Sequence, residues 1–123
     1  MAYSQSTYPN AAASDVSLQT VTNSTATVVS AASRSLFGIK IDNIANPSEE
    51  EWLKIYDHAS PTVGTTVPAV IVKIPAGVAR TFIILQGNIT LGSGLAYAAT
   101  KTSGGVTGTA DPSSALKVAL AHN

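Results

Sequence analysis

Leu36-Phe-Gly-Ile-Lys-Ile-Asp-Asn-Ile44 is the stretch whose reading decides the fold. Phe37, Ile39 and Ile41 fall on one side of an extended chain, while Gly38, Lys40 and Asp42 fall on the other. A period of two is the mark of a half-buried strand, since successive side chains point to opposite faces of a sheet. Asn43 to Pro47 then reads as a turn.

Working outward toward the C-terminus, the next segment admits two readings. Ser48-Glu-Glu-Glu51 matches a capping box and would start a helix running from Glu49 to His58. As a strand, the same segment sets Trp52, Lys54 and Tyr56 on one face and Leu53, Ile55 and Asp57 on the other. Pro61 closes the window too soon for a typical helix. That favours the strand and leaves Glu49 to Glu51 in the loop before it. Ser60 to Thr66 reads as a loop, and Val70, Val72 and Ile74 alternate with Ile71 and Lys73. Pro75-Ala76-Gly77 makes a tight turn. Thr81 to Leu85 is a nearly continuous apolar run, punctuated by Gln86-Gly87-Asn88 before Ile89 and Leu91. Leu95, Tyr97 and Ala99 predict another strand. Lys101 to Pro112 predicts a loop, and Leu116, Val118 and Leu120 a final strand.

Toward the N-terminus, Val16, Leu18 and Thr20 alternate, and Ser24 to Ala32 is rich in Thr and Val, which suit a pleated surface. Residues 1 to 14 show no periodicity and read as an extended arm ahead of a domain spanning residues 15 to 123. The arm is either a free tail or a segment that orders on a neighbouring subunit through Tyr3 and Tyr8. Tyr3, Tyr8 and Pro9 are accordingly the expected assembly-interface residues.

About eight short strands, spaced by turns and without room for helical crossovers, predict an all-β fold. The expected architecture is an antiparallel β-sandwich, jelly-roll or immunoglobulin-like. Its core should include Phe37, Ile39, Ile41, Leu53, Ile55, Val70, Val72, Ile74, Phe82, Ile84, Leu116 and Val118.

Composition narrows the function. Charged residues make up 11% of the chain, against a usual share of about 25%. Ser, Thr and Ala stand in their place, giving a surface that is cheap to desolvate and suited to packing against protein. Seven basic residues balance seven acidic ones, so no net field steers the chain to nucleic acid or anionic membrane. No apolar run approaches a membrane span. The first residues lack the features of a signal peptide, and cysteine is absent; synthesis and folding in a cytosol are expected.

Catalysis finds no foothold. His58 and His122 are the only neutral nitrogen bases, and neither has the spacing that a metal or a triad needs. Gly92-Ser93-Gly94 is only a fragment of a nucleophile elbow, and Gly104, Gly105 and Gly108 do not form a phosphate loop. Glu49 to Glu51 supplies too few oxygens for calcium, and such a run is expected to point into solvent. Asn23-Ser24-Thr25 and Asn88-Ile89-Thr90 match a glycosylation pattern that a chain rich in Thr and Asn meets by chance. Trp52, Tyr56 and Tyr97 would make a sugar platform if exposed; core roles for Trp52 and Tyr97 are the favoured reading. No catalytic residue, cofactor or metal is expected.

From Leu36 to Tyr97 the chain resembles a family of small virion proteins of tailed bacteriophages. The matching features are a strand ending in Asn43, Trp52-Leu-Lys-Ile-Tyr-Asp57, Ala59-Ser-Pro-Thr-Val-Gly-Thr65, a strand from Pro68 to Ile74, a Pro-Ala-Gly turn and Gly94-Leu-Ala-Tyr-Ala98. Two features depart from the pattern: the insertion of Glu49 to Glu51, and an uncharged Thr102 to Ser113 where members often carry an acidic loop. The resemblance implies a capsid decoration (cement) protein at the virion head surface, binding the major capsid protein and neighbouring copies of itself, as a homotrimer if it sits on a capsid three-fold. The alternatives are a tail or fibre adhesin for host-surface glycan and a small enzyme-associated binding module.

Overall fold

The computed structural model describes residues 15–21, 25–79, 81–103 and 105–123, with backbone alone for 15–21 and 81–87. The arm, with Tyr3, Tyr8 and Pro9, lies outside the described residues, as do the side chains of Phe82 and Ile84.

Among the described residues the chain forms eight strands and no helix: β1 (Asp15–Val21), β2 (Thr27–Ser30), β3 (Arg34–Asp42), β4 (Glu51–Tyr56), β5 (Val70–Ile74), β6 (Thr81–Leu91), β7 (Leu95–Thr100) and β8 (Leu116–His122). They build two sheets, ordered β1-β8-β3-β6 and β2-β7-β4-β5, and every pairing is antiparallel. One apolar cluster draws on both: Leu36, Ile39, Ile41, Leu116, Val118 and Leu120 from the first sheet, Leu53, Ile55, Ile74, Leu95 and Tyr97 from the second. The two sheets therefore face each other across a shared core, an arrangement consistent with a β-sandwich. Each fully buried Leu or Ile contributes roughly 1.5–3 kcal/mol to holding the layers together.

Several strands depart from the sequence reading, each for a local reason. In β3 the core takes Leu36 together with Ile39 and Ile41, not a strict Phe37–Ile39–Ile41 face, although Phe37 is buried too. The register slips between Leu36 and Gly38: Leu36 pairs with His122 and Gly38 with Ala121. This bulge adds a residue to β3 and turns the preceding side chains over. β6 runs unbroken from Thr81 to Leu91 where a break at Gln86-Gly87-Asn88 was expected; its pairing shifts opposite the same bulge, with Leu36 facing Ile89 and Gly38 facing Ile84. Val70 and Val72 pack against the core but stay partly exposed, because β5 is an edge strand.

The largest departure is at β4. The segment is the strand that the sequence favours over a helix, but it begins at Glu51 rather than after it. Lys54 and Tyr56, on the opposite face from Leu53 and Ile55, are also fully buried. Loops cover that outer face. Residues 57–69, between β4 and β5, bring Val63 onto Tyr56 beside Ala26, Ala96 and Ala98. Residues 101–115, between β7 and β8, bring the Gly108 carbonyl to Lys54. The two loops interlock at Gly64, whose φ of +91° suits glycine and where a Cβ would sit 2.5 Å from Thr109 Cγ2.

Candidate functional site

At one end of the sandwich three loops meet in a polar clasp built on two buried asparagines. Asn43 closes β3 and donates from Nδ2 to the carbonyls of Glu49 (3.1 Å) and Pro75 (3.2 Å). Asn46 donates from Nδ2 to Asn43 Oδ1 (2.7 Å) and to the Ser114 carbonyl (2.9 Å), and its Oδ1 accepts from the Ser114 N–H (2.9 Å). The Gly77 N–H donates to the Asn46 carbonyl and the Asn43 N–H to that of Val78. Segments 43–50, 75–78 and 113–114 are thus tied through side chains whose amides stay neutral at every pH. The sequence shows Asn43 and Asn46 only as turn residues; their burial depends on segments that are distant along the chain.

The same end holds two carboxyl groups in opposite surroundings. Glu49 accepts from the Ser113 N–H (2.8 Å) and the Ser113 hydroxyl (2.6 Å). A Glu51 proton donated toward Glu49, and then the Ser113 bonds, lower the Glu49 pKa to about 2. Glu51, two residues on, shares the inward face of Leu53 and Ile55 and is 0% exposed. This overturns the expectation that all three glutamates point into solvent. Neither of its oxygens meets hydrogen-bond geometry with a partner, yet Glu49 is near enough to draw a proton on Glu51 toward it. Burial first, then the Glu49 carboxylate as acceptor and like charge, raise the Glu51 pKa to about 8, with Lys101 pulling weakly the other way. Glu50 turns outward and pairs with Lys73 at 2.7 Å. A shallow cavity of about 290 Å³, lined by Asn46, Pro47, Ser48, Glu49, Ser113 and Ser114 among others, opens beside the Glu49–Ser113 contact.

The remaining residues singled out in the sequence do not converge. His58 is exposed and its Nδ1 accepts from the Ser60 N–H (2.9 Å), whereas His122 lies buried at the end of β8. No group of three or more metal-binding side chains occurs among the described residues. Tyr97 belongs to the core and Tyr56 lies under the loops, so the three aromatics form no common platform. Burial raises both phenols, Tyr97 to about 12. Trp52 alone stays half-buried, with Lys73 Nζ 5.9 Å from its ring centre. Lys54 is buried, donates to the Gly108 carbonyl at 2.7 Å, and has its pKa lowered by that burial. Its lysine identity, at an alternating strand position, gave no sign of this.

No protein-family model matches this chain, and no curated protein matches it either.

Proposed function

We propose that this chain is a structural protein of a bacteriophage virion, a jelly-roll module that decorates the head shell and works by assembly rather than catalysis. The observation that carries the proposal is the edge of the second sheet. β5 is an edge strand, Ile71 on it is 39% exposed, and Val67 just before it is 70% exposed. An edge strand flanked by exposed apolar side chains is a ready docking line for an extended segment of another chain. The low charge of the chain suits such a contact, because little charge must be desolvated.

The strand order supports the jelly-roll form over the immunoglobulin-like one. β1 pairs with β8, β2 with β7, β3 with β6 and β4 with β5. That nesting arises when one long antiparallel hairpin is rolled into two sheets, as in the jelly rolls of viral capsid and lectin domains. The topology alone does not select a function; the reading draws its support from the edge, the composition and the resemblance from Leu36 to Tyr97 together. The partners under this reading are the major capsid protein and further copies of the chain, as a trimer.

The test is cosedimentation of the purified protein with isolated head shells, read by electron microscopy. Density on the outer shell at regular capsid positions is expected. Density confined to the tail, or none on shells at saturating protein, would overturn the proposal.

A further inference from the structure

Segment 49–51 carries two carboxyl groups with unlike duties. Glu49 holds the 101–115 loop through both bonds to Ser113, and its backbone carbonyl is fixed by Asn43. Glu51 is fully buried beside it, and neither of its oxygens meets hydrogen-bond geometry with a donor. A buried carboxyl that accepts from no donor persists as the neutral acid, since the anion would lose its hydration without hydrogen bonds to replace it. Once ionised, it must reach water. The route is short: Glu51 is the first residue of β4 and its pairing with Ile74 is the last rung of the β4–β5 ladder. Solvent already reaches the cavity alongside Glu49 and Ser113. Two adjacent anions would meet there, with Ser113 held by one of them.

We propose that Glu51 is a proton latch: protonated, it stays under the clasp and leaves Ser113 bound to Glu49; ionised, it swings out, displaces that contact and releases Ser113 from Glu49. The proposal concerns the clasp alone and holds whatever the protein binds. Among the described residues the charged groups acting on Glu51 are Glu49, from segment 43–50, and Lys101, from the start of the loop. Glu50 and Lys73 pair with each other, and Asp42 Oδ1 accepts from the Ile44 N–H. β5 offers Ile74 across from Glu51. The Asn43–Asn46 pair does not titrate, so Ser114 stays held by Asn46 and the motion is confined to Ser113 and the residues just before it.

The test is an NMR titration of the full chain from about pH 5 to 9, following the Glu51 carboxyl carbon and the Ser113 amide nitrogen together. Both should move in one step whose midpoint lies well above the ordinary carboxylate range, and the Ser113 step should vanish in Glu51→Gln. Glu51→Met is the second variant, should the buried amide impair folding; it too should lack the step. A Glu51 carbon that titrates in the ordinary range would overturn the latch, as would a Ser113 signal that ignores the Glu51 step or keeps it in both variants. So would a Ser113–Glu49 contact that stays closed at the alkaline end until calcium is chelated, which would make the carboxyl pair a cation site.

Discussion

The Lys54 ammonium reaches across 54 residues to the Gly108 carbonyl, 2.7 Å away, while its stem lies wholly buried on the outer face of β4. This contact helps to fasten the 101–115 loop over the outer face of the second sheet.

Lys54→Met keeps most of the stem and removes the charge. It should change stability by no more than about 1–2 kcal/mol, because the loss of one hydrogen bond is offset by the end of an ammonium's desolvation. Lys54→Ala also empties the space under the loop and should cost roughly 2–4 kcal/mol. Denaturant midpoints of the two variants should separate in that order, and equal losses would mean that the charge, not the packing, holds the loop.

Gly94 should tolerate no side chain. Its φ is +145°, and a Cβ would lie 2.8 Å from the Ser30 carbonyl oxygen and 2.9 Å from that of His58. Backbone cannot step aside as a flexible side chain can, so Gly94→Ala should destabilise the fold by about 2 kcal/mol or more. Thermal unfolding reads it directly. A melting temperature within a degree or so of wild type would exclude that close approach.

Stability should depend on pH through the two glutamates in opposite directions. Glu51 has a folded pKa raised from 4.5 to about 8, so its contribution is fully present below the unfolded value and is lost as pH rises toward 8. Glu49 has a folded pKa lowered from 4.5 to about 2, so its contribution is present above the unfolded value and is lost as pH falls toward 2. The pair alone gives a maximum of stability at mildly acid pH. Melting temperatures measured across the range should fall on both sides, and Glu51→Gln should flatten the alkaline side only. An unchanged alkaline slope in that variant would assign the fall to other groups.

How much of this was legible follows from what each signal measures. Alternation at Leu36–Ile44 and Val70–Ile74 reports which face of a strand is apolar, and those strands form as expected. At β4 the choice of strand over helix rested on length, because Pro61 closes the window after about ten residues. Alternation cannot report whether the polar face will be covered. Lys54, Tyr56 and Glu51 look like outward or loop positions in one dimension, and only the return of residues 57–69 and 101–115 buries Lys54 and Tyr56. The bulge at Leu36–Gly38 was hidden because a register slip is a property of two strands together. Asn43 and Asn46 were visible as a turn but not as a clasp, since their partners Pro75 and Ser114 lie 32 and 68 residues away.

The β5 edge and residues 1 to 14 yield the prediction that bears most on assembly. An exposed edge strand offers unpaired backbone groups, and a second chain laid along it gains hydrogen bonds that side chains alone would not supply. Tyr3 and Tyr8 are the large side chains available in residues 1 to 14, each worth roughly 1–2 kcal/mol if buried. Ordering that segment costs about 1–2 kcal/mol per residue, so the tyrosines cannot hold it without backbone pairing. Deleting residues 1 to 12 should therefore leave the melting temperature of the isolated domain nearly unchanged while weakening subunit or shell association at least tenfold. Ile71→Glu should weaken the same association with little loss of stability, because the residue is already 39% exposed. Analytical ultracentrifugation and shell cosedimentation measure both. If the edge is where residues 1 to 14 of another copy dock, combining the changes should cost little more than either alone. Fully additive losses would mean that the two act at separate contacts, and undiminished binding after the deletion would show those residues to be a free tail.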